Sequence, residues 1–463
     1  MDSAEYERLS ELFERDEILY VGFRIIYNAN EDRPVSGAER DEIPFYDSRL
    51  FPVFLLSYLA LRRIWYLVQS RLGSAIEPFP ADSHLFTLST DQGYRTYSFR
   101  QVGQQLREQG TDIVYLTSPS VSDVGAELSA DGFRVVSHRE LFGLVPLGAL
   151  PRLFLRTRAR MKTLETELSG SFEVSRPQST VARNVLLTEA VKTTYLGRVA
   201  DEHCTVHTYS PMPYLTNTRA EERVLVYQHG MLLPDQWELA WAIPFFRPLT
   251  YLVWGPAWKT SYEAYAHPEA PIEAVGSPWL DHLAERSADS AEPEYDVLLV
   301  SNARRCATPE DHDLYERFVR HVVETCEANG WSLAVKLHPD EATEWYDSRG
   351  WGSFVVPFED ITDGILASKL TVTNGSSAFI ESCALGRPVV VTDLFGVGLG
   401  HLQDRSGLHV SALEDIPADL RTAMETDSPR AHIDGLVDLG GSTERIVEYV
   451  RDRDVSDRRM KFA

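Results

Sequence analysis

The sequence contains little cysteine, little lysine and no long hydrophobic run. Its four cysteines, Cys204, Cys306, Cys326 and Cys383, stand apart without a Cys-x-x-Cys spacing, which excludes a zinc knuckle and a disulfide framework. The longest apolar run, residues 50–61, is too short to span the ~30 Å of a bilayer core. The N-terminus lacks the basic and then apolar pattern of a signal peptide. We therefore expect a cytoplasmic protein.

Positive charge is scarce as well. The chain has 69 acidic and 45 basic residues, a net charge of −24, and only six of the basic residues are lysines. An acidic, lysine-poor surface suits a protein that stays soluble at high salt, so we interpret it as adaptation to a saline cytoplasm; an ordinary acidic enzyme is the alternative. Either interpretation argues against a nucleic-acid partner, because duplex binding needs clustered positive charge.

The length and the alternation of apolar runs with amphipathic stretches indicate an α/β protein with two large domains. The 463 residues correspond to about three domain equivalents, and repeated strand–helix–strand patterns predict parallel sheets with right-handed crossovers. We predict two Rossmann-like, doubly wound domains facing a cleft, preceded by a helical N-terminal extension. The predicted divisions are a helical extension over 1–78, a first Rossmann-like domain over 79–282, a linker over 283–295, a second Rossmann-like domain over 296–440, and a C-terminal helix and tail over 441–463.

The segment around Asn374 is the most informative one for function. A predicted strand ends at Asn374 and Gly375, and the hydroxyls of Ser376 and Ser377 stand at the start of the next helix. Unpaired backbone N–H groups at such a start attract anions, so a phosphate would suit this place. Glu381, one turn into the helix, could accept hydrogen bonds from a ribose diol. The alternative is that Ser377 is an ordinary N-cap.

A second polar group follows a neighbouring predicted strand. His338 comes directly after that strand, and Pro339 stiffens the turn and prevents the strand from continuing. Because carboxyl ends of parallel strands share one edge of a sheet, we expect His338 to face the same cleft as Ser376. A structural role for His338 is the alternative.

The combination of His338-Pro339, Ser376-Ser377, Glu381 and Gly386-Arg387-Pro388 resembles the carboxy-terminal nucleotide-binding domain of GT-B-fold glycosyltransferases. It is most similar to bacterial sialyltransferases, Kdo transferases and CDP-glycerol glycerophosphotransferases, which act in surface polysaccharide synthesis. The resemblance covers residues 296 to about 400. It implies that His338, Ser376 and Ser377 hold the donor nucleotide and its phosphate.

A weaker similarity concerns the first half of the chain. A predicted strand ends at His229-Gly230, which looks like a feature of CDP-glycerol transferases and makes His229 a candidate catalytic base. A buried histidine bonded to a carbonyl is the alternative. Sialyltransferases carry an acidic pair before a glycine as the base; here Asp91-Gln92-Gly93 offers one carboxylate, so Asp91 is the second candidate base.

The resemblance implies a transferase that moves a sugar or polyol phosphate from a nucleotide-activated donor to a glycan or lipid-linked acceptor. The donor, a nucleotide sugar or CDP-polyol, would be the substrate, and we expect neither a cofactor nor a metal. Non-hydrolysing UDP-N-acetylglucosamine 2-epimerases share the architecture and are the enzymatic alternative, although Ala378 replaces their glycine and Ser382 follows Glu381. A non-catalytic scaffold of GT-B shape is the third possibility.

One segment is positively charged, in contrast to the overall negative charge of the chain. Residues 151–162 carry four arginines and a lysine among apolar side chains, and the preceding residues 141–150 are mostly apolar. Such a segment can dock on anionic lipid head groups, which predicts peripheral contact of residues 141–162 with the inner face of the membrane. The alternative is a helix whose arginines pair with nearby carboxylates.

Overall fold

The computed structural model describes two α/β domains and a segment that returns to the first of them. The described residues are 60–61, 64, 84–88, 93–117, 122–137, 148, 152, 155, 159, 205–207, 224–228, 250–263, 269–286, 292–303, 306, 308–338, 341–396, 399, 409–425 and 435–461. Three predicted site residues, Asp91, His229 and Pro339, lie outside them. Most of the predicted extension over 1–78 and of the predicted membrane segment over 141–162 lies outside them too.

The first domain contains a seven-stranded sheet in which every pair of neighbouring strands is parallel. The strand order is β3-β2-β1-β4-β5-β6-β7. The strands are β1 (His84–Leu88), β2 (Ile113–Thr117), β3 (Arg134–Ser137), β4 (Thr205–His207), β5 (Val224–Tyr227), β6 (Thr250–Val253) and β7 (Ile272–Ala274), and the helices are α1 (Gly93–Glu108), α2 (Ser122–Ala130), α3 (Pro256–Glu263) and α4 (Pro278–Arg286).

The second domain contains a five-stranded parallel sheet of order β12-β11-β10-β8-β9. Its strands are β8 (Tyr295–Val300), β9 (Leu333–Lys336), β10 (Ser368–Asn374), β11 (Val389–Thr392) and β12 (Val410–Ser411), and its helices are α5 (Pro309–Asn329), α6 (Glu344–Asp347), α7 (Ile361–Leu366), α8 (Ala378–Ala384) and α9 (Ile416–Met424). Outside these strands, Val355 forms an isolated parallel bridge with Val335.

The strands of the second sheet carry apolar side chains on both faces, which explains why their sequences are continuous hydrophobic runs. Val297 and Leu370 point to one face, where they pack with Phe318 and other residues of α5 and with α9. Leu298 points to the other face and belongs to a cluster that includes Phe379 of α8 and continues into the first domain. The two domains therefore share a hydrophobic core.

The chain crosses between the domains twice. After α4 it enters the second domain at β8, and after α9 it returns, so that residues 435–441 run along the ends of β6 and β7 before α10 (Ser442–Lys461) packs on α1. Asp281 of α4 accepts hydrogen bonds from the backbone N–H groups of Gly440 at 2.6 Å and Ser442 at 2.8 Å. These bonds fix the start of α10 to the first domain.

Candidate functional site

The carboxyl ends of β8 and β10 are neighbours at the point where the strand order of the second sheet reverses. β8 pairs with β9 on one side and with β10 on the other, and Val300 lies opposite Thr373 at the ends of β8 and β10. Open α/β sheets bind ligands at such a switch point. The residues that follow these strands therefore define the candidate site.

Two asparagines join the loops at this edge. Asn302, after β8, donates from Nδ2 to the carbonyl of Asn374 at 2.9 Å. The Oδ1 atom of Asn374 accepts from the backbone N–H of Leu394, after β11, at 3.0 Å. Asn374 is almost fully buried, and its Nδ2 has no hydrogen-bond partner among the described residues. Since a buried donor without a partner is costly, Nδ2 is a candidate ligand contact.

A buried hydroxyl network holds the loop after β8 to the loop after β9. The backbone N–H of Asn302 donates to the Tyr315 hydroxyl at 3.2 Å, and the hydroxyls of Tyr315 and Tyr346 are 3.1 Å apart. Tyr346 donates to Ser301 Oγ at 2.9 Å, and Ser301 donates to the carboxylate of Glu341. The backbone N–H can only donate and the carboxylate can only accept, so the chain of bonds runs in one direction, from Asn302 to Glu341.

The turn between β10 and α8 carries the two serines that the sequence singles out, Ser376 partly buried and Ser377 exposed. Gly375 has a φ of 58°, a left-handed conformation that favours glycine. Ser376 Oγ accepts from the backbone N–H of Ala378 at 3.3 Å. Ser377 is exposed and makes no capping hydrogen bond with its side chain. Ser377 therefore occupies the N-cap position of α8 without using its hydroxyl as a cap.

His338 follows β9 on the other side of β8, at the same edge of the sheet as Asn374. It is partly buried, its backbone N–H donates to Glu341 Oε2 at 3.4 Å, and its carbonyl accepts from the Glu341 backbone N–H at 2.9 Å. Glu341 therefore contacts both the loop that carries His338 and the loop that carries Asn302.

Glu381 lies on the side of α8 that faces the first domain. Its Oε1 accepts from the indole N–H of Trp279, on α4, at 3.2 Å. Burial raises the pKa of Glu381 to about 7; the Trp279 bond lowers it, and the charge of Asp360 raises it. A carboxyl group that titrates near neutrality is therefore placed between the two domains.

Sequence reasoning did not single out Asn302, Glu341 or Trp279. A signal for Asn302 was present, because this polar residue comes directly after a buried strand, as Asn374 does. Glu341 and Trp279 reach the site through contacts between distant segments. The predicted catalytic residues Asp91 and His229 lie outside the described residues. The neighbour of His229 in the chain, Gln228, is buried and accepts from the Trp254 backbone N–H at 2.9 Å.

Two features of the described part of the chain concern metals and membranes. None of its helices is both long enough and apolar enough to cross a membrane, and none of its His, Cys, Asp and Glu residues form groups of three or more that could hold a metal ion. Within the predicted membrane segment, the described residues Arg152 and Leu155 are helical and exposed, with Leu155 63% exposed.

No protein-family model matches the sequence, and no curated protein matches it. Solved structures do match in fold. The UDP-GlcNAc 2-epimerase of Neisseria meningitidis, determined with bound UDP-GlcNAc, is 12% identical and aligns over 80% of this chain and 100% of its own, with a TM-score of 0.50. The corresponding epimerase of Methanocaldococcus jannaschii is 11% identical over 80% of this chain and 99% of its own, with a TM-score of 0.48. MurG of Acinetobacter baumannii is 12% identical over 80% and 99%, with a TM-score of 0.39.

The similarity to the Neisseria enzyme and the two parallel sheets show the fold of the protein. It is the GT-B fold of two Rossmann-like domains. The two Rossmann-like domains predicted from the sequence are confirmed, as is the similarity to the epimerase architecture.

Proposed function

We propose that this protein is a GT-B-type transferase that uses a nucleotide-activated donor. The observation that carries the proposal is the carboxyl edge of the second sheet, where Asn374, Ser376 and Ser377 lie beside the loop that contains Asn302. On the helix that follows, Glu381 contacts the first domain. The Neisseria enzyme of the same fold holds UDP-GlcNAc, which supports a nucleotide sugar as the ligand.

In this proposal, the first domain binds the acceptor and the second binds the donor. A base in the first domain, His229 or Asp91, removes the proton of an acceptor hydroxyl as that oxygen attacks the activated carbon or phosphorus. The leaving phosphate gains negative charge, which hydrogen bonds from Ser376 and Ser377 and a protonated His338 would stabilise without a metal. Donors aimed at developing charge are among the largest contributions to catalysis.

The acceptor side of the proposal is a glycan or a lipid-linked glycan in surface polysaccharide synthesis. Peripheral contact of residues 141–162 with anionic lipid would bring the protein, in the cytoplasm, to such an acceptor. The exposure of Leu155 beside Arg152 supports this contact, because an apolar side chain next to a cation suits the boundary of an anionic membrane.

The donor site is tested first by thermal unfolding in molar salt with CMP, CDP, UDP, GDP and dTDP. A ligand that binds only the folded state raises the unfolding midpoint. Calorimetry with the stabilising nucleotide then compares the wild type with Ser376→Ala/Ser377→Ala. We expect the double substitution to weaken binding about tenfold or more, because it removes two hydrogen bonds to a charged phosphate.

Ser348→Ala is the matched control, since Ser348 is an exposed serine whose hydroxyl donates to the Trp345 carbonyl at 2.9 Å, away from the site. An affinity unchanged by the double substitution would contradict the site assignment. No stabilisation by any of the five nucleotides would favour a non-catalytic scaffold instead.

The second candidate function is that of a UDP-N-acetylglucosamine 2-epimerase. The observation that favours it is Glu381, because a carboxyl with a pKa of about 7 at the edge of a nucleotide site can accept and release a proton near neutral pH. This candidate requires reversible interconversion of a free nucleotide sugar without an acceptor. Proton NMR of the protein with UDP-GlcNAc alone separates the two functions, since a transferase would leave that sugar unepimerised.

A further inference from the structure

The helix that precedes the first crossing between the domains carries an unusual contact. Helix α4 packs against α1 and α10 in the first domain and against α8 in the second. Trp279, its second residue, is partly buried and extends its indole N–H to Glu381 on α8. One side chain of α4 thus bonds directly to a residue of the candidate donor site.

Residues of the first domain and of α4 hold the indole in place. The Trp279 ring meets the Tyr97 ring of α1 edge to face, with centroids 5.6 Å apart, and it lies 5.7 Å from His282. Tyr97 and His282 are themselves stacked at 4.5 Å. Burial, followed by the charge of Arg286, lowers the pKa of His282, which favours a neutral ring in the stack. Such aromatic contacts fix ring orientation, so the direction of the indole N–H is set before any ligand binds.

The chemistry of the two partners restricts what this bond can do. The indole nitrogen can only donate, whereas an ionised carboxylate accepts at two oxygens. The bond to Trp279 occupies Oε1 and leaves Oε2 as an acceptor. It also favours the ionised form of Glu381, whose pKa it lowers against the effect of burial.

We propose that Trp279 is a positioning residue for donor recognition: by holding Oε1 of Glu381, it orients the carboxylate so that Oε2 accepts from the ribose hydroxyls of the nucleotide. This inference rests on the proposed function and names the part of the donor that the site reads. Because Tyr97 holds the indole, the orientation of a donor-site carboxylate depends on the position of the first domain. Donor recognition is therefore coupled to the arrangement of the two domains.

The test compares ribonucleotides with their 2′-deoxy counterparts. Calorimetry on the full chain measures affinities for UDP and dUDP, CDP and dCDP, and GDP and dGDP, and the ratio within each pair is the ribose preference. In Trp279→Phe, which keeps a ring but removes the donor, we expect the ribose preference to fall about 5- to 10-fold while the affinity for the deoxynucleotide changes little. Ser376→Ala/Ser377→Ala should instead weaken both members of a pair alike.

A double-mutant cycle tests whether Trp279 acts through Glu381. Glu381→Gln should reduce the ribose preference, and adding Trp279→Phe to it should cause no further loss, because the two residues act as one unit. Trp279→His, which retains a ring N–H, should restore part of the preference and serves as the second variant. Trp331→Phe is the matched control, since Trp331 packs on the opposite core of the second domain.

The outcomes separate the inference from the proposed function. If the wild type binds a ribonucleotide and Trp279→Phe, folded by its thermal midpoint, keeps the wild-type ribose preference, the inference is overturned and the transferase proposal stands. Additive losses in the cycle also overturn it. If none of CMP, CDP, UDP, GDP and dTDP binds the wild type, both proposals fail.

Discussion

The two sheets have the same parallel construction, but Tyr115 in the first domain and Tyr346 in the second satisfy their buried hydroxyls differently. The Tyr115 hydroxyl donates to the backbone carbonyl of Phe99 at 2.7 Å. In the second domain, the hydroxyls of Ser301, Tyr315 and Tyr346 bond to one another and to Glu341.

The difference shows which part of the molecule depends on particular residue types. A backbone carbonyl is present whatever the residue is, so a tyrosine that bonds to it needs only the fold. A network of side chains needs each partner, and it fails if one is missing. The network at the carboxyl edge of the second sheet therefore requires a defined set of side chains, whereas the bond of Tyr115 requires only the fold of the first domain.

The largest expected effect concerns the return of the chain to the first domain. A Cβ atom at Gly276, where φ is 80°, would lie 2.1 Å from Ser442 Oγ and 2.3 Å from the Asp438 carbonyl. Gly276→Ala combines this overlap with a left-handed backbone, so we expect the free energy of unfolding to fall by about 3–5 kcal/mol. Urea denaturation followed by circular dichroism measures it.

Gly330→Ala is the control for backbone strain alone. Gly330 has a φ of 67° at the end of α5, and a Cβ there would meet no atom within 4 Å. We expect a loss of about 1–2 kcal/mol. Equal losses in the two variants would show that residues 438–442 move away from a Cβ at Gly276 without cost, which would contradict a tight contact there.

A matched pair of tyrosine substitutions tests the comparison of the sheets directly. Tyr346→Phe removes the hydroxyl that bonds to both Ser301 and Tyr315 and should lower the free energy of unfolding by about 2 kcal/mol. It should also weaken nucleotide binding several-fold, because Ser301, next to Asn302, loses one of the bonds that hold its loop. Tyr115→Phe removes one bond to a carbonyl in the first domain and should lower stability by about 1 kcal/mol with nucleotide affinity unchanged. If both substitutions affect nucleotide binding equally, the distinction between the two sheets fails.

The smallest expected effect is a pH dependence at the boundary between the domains. The folded-state pKa of Glu381, about 7, lies above its ordinary value of 4.5, so folding favours the protonated form. Stability from this group is then present below about pH 4.5 and is lost as the pH rises toward 7. Relative to Glu381→Gln, the wild type should lose about 1–2 kcal/mol between pH 4.5 and 8, after allowance for partial exposure. Urea denaturation across this range measures it, and parallel curves for the two proteins would contradict the raised pKa.

Local patterns in the sequence predicted most of the second domain. The runs that became β8, β10 and β11 are apolar and β-branched, and Gly330 ends α5 where the pattern stops. The short strands β4 and β12 could not be predicted, because three and two residues carry no detectable periodicity. These two strands form because they pair with longer neighbouring strands.

The candidate site was predictable only in part, because only some of its residues lie close together in the sequence. Asn374, Ser376 and Ser377 follow one another in the chain, so a local pattern revealed them. Trp279 and Glu381 are 102 residues apart, and Ser301 and Glu341 are 40 apart. Such pairs depend on how strands and helices pack, and a single sequence contains no direct record of that packing.

The return of residues 435–450 to the first domain has a consequence for protein synthesis. Asp281 accepts a hydrogen bond from Ser442, which lies 161 residues later in the chain and is therefore synthesised after the second domain. While the second domain is being translated, the nascent first domain therefore leaves the ends of β6 and β7 and one side of α1 uncovered. Contacts of such long sequence separation form late and slowly, so the first domain to emerge is the last to be completed.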